Sequence, residues 1–410
     1  SRPGGSNLVE PNFWANTALT ISPEDTIDLS TSTSSPAKLF EGIEIGQGLL
    51  VFSENKQWLL AAEAEILGPE TAKLTPATTY NFNTKTVPLS LGTTIGFLDN
   101  AGKRSKFFEA TRIQRGYEPE VLDQSIAVST LLPKDINLIT NSRENTYVFF
   151  AVKGTDILYG YRYFNSGEKR VQSAWFKWKL DKNIQYIAVI DDLLFVVHEN
   201  NNLVKYPLVD KWDNWINDYP IHLDNWSIIP ASACTYNSST NKTTFELGQY
   251  GFDTDRTVYV LDATVGNDFG RYGIATVSSS TATLDGDWKS SGNDLFVGYN
   301  FEMQIKFPTI YPVDKTGKKA DINSSLVVHR LKLSLGAAGV YETTIERTGK
   351  DTYNELIESS LQDAYIANTS PWVDQRIHTL PTYERNKNLT VYLKSTHPSP
   401  ATIYSMSWEG

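Results

Sequence analysis

The sequence is short of the residue types from which covalent cross-links and most active sites are made. Its 410 residues include one cysteine, Cys234, two methionines and five histidines. A lone thiol forms no disulfide within the chain and builds no thiolate metal cage. Cys234 therefore reads as a small buried hydrophobe rather than a nucleophile, and such cysteine usage fits a reducing site of synthesis. His198, His222, His329, His378 and His397 are scattered, and no two have zinc-ligand spacing. His329 alternates with Leu331 and Leu333 and reads as a core or sheet-face residue. No apolar run approaches the roughly 18 residues that span a bilayer. No Gly-x-Ser-x-Gly elbow is present. Basic clusters are lacking too, since no run of Lys and Arg exceeds two residues. With 37 basic against 47 acidic residues the formal net charge is −10. Gripping nucleic acid through its phosphates needs clustered Lys and Arg, so that mode is disfavoured. A conduit is not excluded, because a wall of like charge lets DNA slide past. The same acidity also serves plain solubility.

What the chain has is aromatic residues and short apolar runs punctuated by Asn, Asp, Ser, Thr and Gly. There are 21 Tyr, 18 Phe and 10 Trp. Period-two alternation recurs, as in Leu389, Val391 and Leu393 against Thr390, Tyr392 and Lys394. It recurs in Tyr404, Met406 and Trp408. Such patterning marks strands, and the fold class expected is all-β and multi-domain, with β-propeller-like blades plus additional β-sandwich or barrel-like domains. GLLVF (48–52) and QWLLA (57–61) flank a turn at Ser53-Glu54-Asn55-Lys56. Further strands are expected near Tyr80–Phe82 and Thr93–Leu98. TYVFFAV (146–152), DILYGYRYF (156–164), QSAWFKWKL (172–180), IQYIAVI (184–190), LLFVVHE (193–199) and NLVKYPL (202–208) follow one another at hairpin spacing. Strict alternation sends Phe176 and Trp178 to one face and Trp175 to the other. Strands are also expected at 295–307, 326–335, 341–347, 389–395 and 402–408. One helix is expected over 103–117, with Phe107, Phe108, Thr111 and Ile113 sharing a face and Glu118-Pro119 ending it. Tyr353, Leu356, Ile357 and Leu361 have near-helical spacing but are read as extended. The division expected is 1–135, a loop-rich β segment carrying the helix; 136–265, propeller-like β-hairpin blades; and 266–410, a C-terminal β-domain.

Candidate chemistry is thin. Gly96 and Gly102-Lys103 have five residues between them where a phosphate loop needs four, and Arg104 replaces the magnesium-binding hydroxyl. Asp253-Thr254-Asp255 and Asp285-Gly286-Asp287 resemble the starts of calcium loops. Their twelfth positions are Thr264 and Phe296 instead of Glu, so both read as turns. Glu118 and Glu120 form one of many imaginable carboxylate pairs. The Trp and Tyr residues could form a sugar platform, though core and interface roles come first. No catalytic, cofactor-binding or metal-binding residue is assigned, and no cofactor is expected.

NFWANTALTISPEDTIDLS (12–30), GLLVFSENKQWLL (48–60), EPEVLDQS (118–125), QSAWFKWKL (172–180), VGYNFEMQIKFPTIYP (297–312) and the C-terminal pair RNKNLTVYLKS and PSPATIYSMSWEG together resemble the tail tubular protein B, or tail nozzle, family of short-tailed podovirus-type phages. The likeness includes those of cyanophages. It implies a structural virion protein, not an enzyme, with a fold that includes a small β-propeller. It further implies a hexameric ring at the tail tip, contacts with the tail adaptor protein and tail fibres, and genomic DNA passing without specific binding at the host envelope. Members of the family continue beyond this Trp-Glu-Gly, so a fragment lacking both ends is expected. The alternative is a β-propeller that binds or cleaves host-surface glycans.

Overall fold

A computed structural model describes residues 26–27, 29, 38–46, 48–62, 67–111, 119–166, 169–208, 222–247, 256–262, 271–313, 321–357, 375–399 and 401–410. The chain divides into two compact units, 1–209 and 210–410. Among the described residues the fold is all-β, and helix is confined to short 3-10 turns such as 126–128, 231–233 and 386–388.

The first unit is a succession of antiparallel sheets in chain order. Sheet 1 comprises β1 (Leu39–Ile45), β2 (Gly48–Ser53), β3 (Gln57–Ala62) and β4 (Ala72–Thr78). Sheet 2 comprises β5 (Leu89–Ser90), β6 (Thr94–Asp99), β7 (Lys106–Thr111) and β8 (Val121–Asp123). Sheet 3 holds β9 (Leu138–Ser142), β10 (Tyr147–Ala151), β11 (Ile157–Ser166) and β12 (Lys169–Lys179). Sheet 4 holds β13 (Ile184–Ile190), β14 (Leu193–His198) and β15 (Leu203–Pro207). Each is a meander whose neighbours in sequence are neighbours in space, as short turns dictate. The turns carry the expected residues. The Ser53 N–H donates to Lys56 O at 2.9 Å, and Gly154 and Asp191 take left-handed φ values of 86° and 52°.

Successive sheets pack face to face. Leu50 and Phe52 of sheet 1 meet Phe97 and Phe108 of sheet 2. Leu98 and Phe107 of sheet 2 meet Phe150, Tyr161 and Trp175 of sheet 3. Phe149, Phe176 and Trp178 of sheet 3 meet Ile187, Leu194 and Val196 of sheet 4. Sheets 2 and 3 are thus covered on both faces. This explains their unbroken apolar runs: in KFFEAT and YVFFA, adjacent phenylalanines point to opposite neighbours. It also explains the tryptophan pair, since Trp175 and Trp178 serve two different clusters while Phe176 sides with Trp178. Both tryptophans are half-buried.

The helix expected over 103–117 is not formed where the structure describes it. Residues 106–111 are strand β7, because Phe107 and Phe108 must enter two different cores; 112–117 lie outside the described residues. Tyr80–Phe82 is not a strand either. It is an irregular segment tied to sheet 1, where Tyr80 O accepts from Gln57 Nε2 at 2.9 Å and the Phe82 N–H donates to Glu54 O at 2.8 Å.

The second unit has two parts. A seven-stranded sheet has the order β16 (Asp224–Ile229), β22 (Leu295–Tyr299), β19 (Val258–Asp262), β20 (Arg271–Ser278), β21 (Thr281–Asp285), β18 (Lys242–Glu246) and β17 (Thr235–Asn237). Its core contains Cys234, Val260, Leu284, Trp288 and Val297. Two further sheets enclose a core of Leu331, Leu333, Tyr341, Leu380 and Leu393. One has the order β23 (Met303–Lys306), β28 (Leu389–Ser395), β25 (Tyr341–Arg347) and β26 (Tyr353–Ile357). The other places β24 (Val327–Ala338) between β27 (Arg376–Arg385) and β29 (Ala401–Glu409). The strand expected over 295–307 is split into β22 and β23. Tyr353–Ile357 is extended despite its helical spacing; Leu361 lies outside the described residues.

Phe107 is fully buried and edge-on to Phe150, Tyr161 and Trp175. Phe107→Ala is expected to cost about 3–5 kcal/mol, more than Trp178→Ala at its half-exposed site. A Cβ on Gly160 would overlap the Phe176 ring on the paired strand, so Gly160→Ala is expected to cost about 1–3 kcal/mol. Urea unfolding monitored by tryptophan fluorescence checks all three.

Candidate functional site

The most developed polar constellation lies between sheets 2 and 3. Glu109 sits on β7 among Phe107, Phe108 and Ala110, and only 3 % of it is exposed. An ionised carboxylate cannot stay in such a place unpaired. Its partner arrives from the tip of the β11–β12 hairpin: Arg170 Nη2 donates to Glu109 Oε1 at 2.5 Å. Thr94 Oγ1 donates to the same oxygen at 2.5 Å. Arg170 also donates from Nη1 to the Tyr161 hydroxyl at 2.5 Å and from Nε to Asn165 Oδ1 at 2.6 Å. Its guanidinium lies 4.9 Å from the Tyr163 ring centre. The Tyr161 hydroxyl donates onward to Gln124 Oε1 at 3.2 Å, and Trp175 Nε1 donates to Gln124 O at 3.0 Å. Burial pushes the hydroxyls of Tyr161 and Tyr163 up to about 12. The arrangement is a joint between the two sheets, in which Thr94, Tyr161, Arg170 and Trp175 are each turned toward another group of the protein. Glu109 Oε2 is buried without a hydrogen-bond partner.

In the second unit, His378 is buried with Nδ1 3.2 Å from the Tyr341 hydroxyl and Nε2 3.6 Å from Glu355 Oε2. Burial lowers its affinity for a proton, and Glu355 opposes that. His222 and His397 sit in one neighbourhood. The His222 N–H donates to Pro398 O at 3.2 Å, and the Ser399 N–H donates to His397 Nδ1 at 3.1 Å. His397 also packs edge-on to Tyr272 at 4.5 Å. Burial lowers both imidazoles to about 4, so both are neutral near pH 7.

The sequence-based candidates disperse. Gly102 and Lys103 lie in the hairpin turn between β6 and β7. Asp285-Gly286-Asp287 is a turn in which Gly286 has φ 91° and Asp287 Oδ1 accepts from the N–H groups of Lys289 and Ser290. Asp253 and Asp255 lie outside the described residues, as does Glu118. Cys234 is buried and reduced. His329 is on an exposed sheet face, stacked on Tyr383 at 5.8 Å. Among the described residues no group of three His, Cys, Asp or Glu converges on a metal position. A cavity of about 10 Å³ between Phe307, Ile310, Val328, Leu331, Val391 and Met406 has room for one water.

The sequence profile described as bacteriophage nozzle protein matches residues 11–410. The chain belongs to the bacteriophage nozzle protein family. It is also similar to the tail tubular protein gp12 of Escherichia phage T7, with 21 % identity over 423 residues covering 97 % of this chain and 52 % of the relative. The chain thus spans about half the length of that curated relative. Among solved structures it is similar to an exo-β-1,3-galactanase from Phanerochaete chrysosporium bound to β-1,3-galactotriose. That pair shows 9 % identity, 87 % coverage of this chain and 77 % of the other, and a TM-score of 0.17. A score so low carries no inference about architecture or activity. Nozzle proteins are structural parts of the phage tail and virion, not enzymes. Among the described residues no helix is long and apolar enough to cross a membrane.

For this nozzle chain, Arg170→Ala is expected to cost about 3–5 kcal/mol by stranding Glu109, while the double change to Glu109→Leu and Arg170→Met recovers most of the loss. Denaturant midpoints of the three variants check this. Two pH limits follow. Because His222 and His397 are depressed from 6.5 to about 4, their contribution is complete above pH 6.5 and lost as pH falls toward 4. Because Tyr161 and Tyr163 are raised from 10 to about 12, theirs is complete below pH 10 and lost as pH rises toward 12. Thermal midpoints between pH 4 and 12 should be flat in the middle and fall at both ends. The acid limb should flatten in the double variant carrying His222→Gln and His397→Gln.

Proposed function

We propose that this chain forms part of the wall of a ring-shaped conduit at the tip of a short phage tail, which retains the genome and then passes it during ejection. The family match over residues 11–410 carries the reading. The physical character of the chain supports it. The first unit's sheets are welded by aromatic clusters and a buried ion pair, as a wall under load requires. An acidic balance of 47 to 37 repels phosphate at short range, where salt does not fully screen it. In this reading six copies form the ring, the tail adaptor protein and tail fibres attach to it, and the host envelope is met at infection. DNA passes without specific binding.

Electron microscopy of the purified protein tests the assembly and filter binding of duplex DNA tests the passage. Closed rings with a central hole, and only weak, salt-sensitive, sequence-independent DNA binding, are expected. Nanomolar sequence-selective binding near physiological salt, or a protein that stays monomeric at tens of micromolar, would overturn the proposal.

A further inference from the structure

The seven-stranded sheet of the second unit buries residues on both of its faces. Val260 and Leu261, adjacent on β19, point to opposite sides. Val260 belongs to the core around Trp288, and Leu261 to a smaller cluster with Leu223 and Phe296, against which Trp226, Tyr259 and Tyr272 pack. Residues 396–399, between β28 and β29 of the C-terminal pair of sheets, meet this second face. There the His397 ring lies edge-on to Tyr272 at 4.5 Å, and Pro398 O accepts from the His222 N–H at 3.2 Å. The His222 ring in turn lies 6.1 Å from Phe301, in the link between β22 and β23. The surroundings of His397 fix where its hydrogen sits. The Ser399 N–H donates to Nδ1 at 3.1 Å. Ser399 Oγ lies 2.8 Å from Nδ1 and accepts from the Val340 N–H at 3.0 Å, so its own hydrogen is turned to Nδ1. The neutral ring therefore carries its one hydrogen on Nε2, which is buried with no hydrogen-bond partner. A second hydrogen would have to go on Nδ1, against the Ser399 N–H already aimed there.

We infer that residues 396–399 form an acid-released clasp: protonation of His397 lifts this loop from the Tyr272 face and lets the C-terminal pair of sheets part from the seven-stranded sheet, each keeping its fold. Closed, the clasp has no place for an imidazolium; lifted, the ring is in water and takes the proton freely. The cores on the two sides share no residue, so neither needs the other to stay packed. The other titratable or charged groups on the elements around the ring are His222, Asp224, Tyr259, Tyr272, Glu302, Glu342 and Lys394. Asp224 lies 3.7 Å from Arg256, and Glu302 lies 2.8 Å from Lys394. Burial alone depresses the His397 ring, from 6.5 to about 4. The clasp is therefore fully closed above pH 6.5 and loosens as pH falls toward 4. Every group involved lies in one chain, so the inference is independent of the proposed ring.

Hydrogen exchange of the full chain, read by mass spectrometry near pH 7.5 and near pH 5 and corrected for the intrinsic rate, tests this. Peptides carrying the His222, Val340 and Ser399 amides are expected to lose protection about tenfold or more at the lower pH. Peptides across β19 and β24, inside the two cores, should keep theirs. His397→Gln, which takes no proton, should abolish the acid response, and His222→Gln should retain it. Three results would overturn the inference: seam peptides that respond no more than the cores, cores that open together with the seam, or a response that survives His397→Gln. Should His397→Gln leave the seam open at both pH values, His222→Gln decides. A response that persists in that variant supports the clasp, and one that vanishes sinks it.

Discussion

Everything in the first unit follows from the need of its two middle sheets to bury both faces. A one-sided sheet can send every second side chain to water, but β7 and β10 have no such outlet. Their residues must be apolar, or polar with a partner supplied from a neighbouring sheet. Glu109 is the costly exception, and the hairpin that carries Arg170 is built long enough to reach it: β11 and β12 run 10 and 11 residues, against five for β9 and β10. Apolar faces alone are nearly indifferent to sliding. A carboxylate that must find a guanidinium fixes one register between sheets 2 and 3. Breaking such a buried pair by removing one partner costs more than replacing the pair whole, because a lone charge is left behind.

The same requirement decides what was legible from the sequence. Strands with one wet face, such as β28 with Leu389, Val391 and Leu393 in alternation, declare themselves. Runs such as YVFFA and LLFVV also read as strands, because length and bounding turns identify them. KFFEAT fails that test. With both faces buried, its phenylalanines are adjacent, Thr111 is the next similar contact, and the result imitates helical spacing. The polar joint was hidden for another reason. Glu109 and Arg170 are 61 residues apart, and the sequence around each is ordinary. A charged residue inside an otherwise apolar strand was the available signal: an unpaired Glu cannot remain in KFFEAT, so a partner had to exist, though not its address.

The aromatic residues show how composition was spent. Phe52, Phe97, Phe107, Phe149, Phe150, Tyr161 and Tyr163 are fully buried and form the seams between sheets. Edge-to-face and tilted pairs, such as Phe107 with Phe150 and Tyr161 with Trp175, interlock in specific orientations rather than merely excluding water. Those seven rings are therefore unavailable as a sugar platform.

A conduit and an enzyme make opposite demands on a β scaffold. An enzyme needs a concave, partly desolvated place where perturbed groups face a substrate. Here five buried or half-buried groups with displaced proton affinities, Tyr161, Tyr163, His222, His378 and His397, face the protein's own atoms within a unit. Under the proposed function such groups stiffen the wall. Stiffness without stickiness is what the passage of a long, highly charged polymer asks of the surface beside it, because each tight phosphate contact would have to be broken again as the polymer moves.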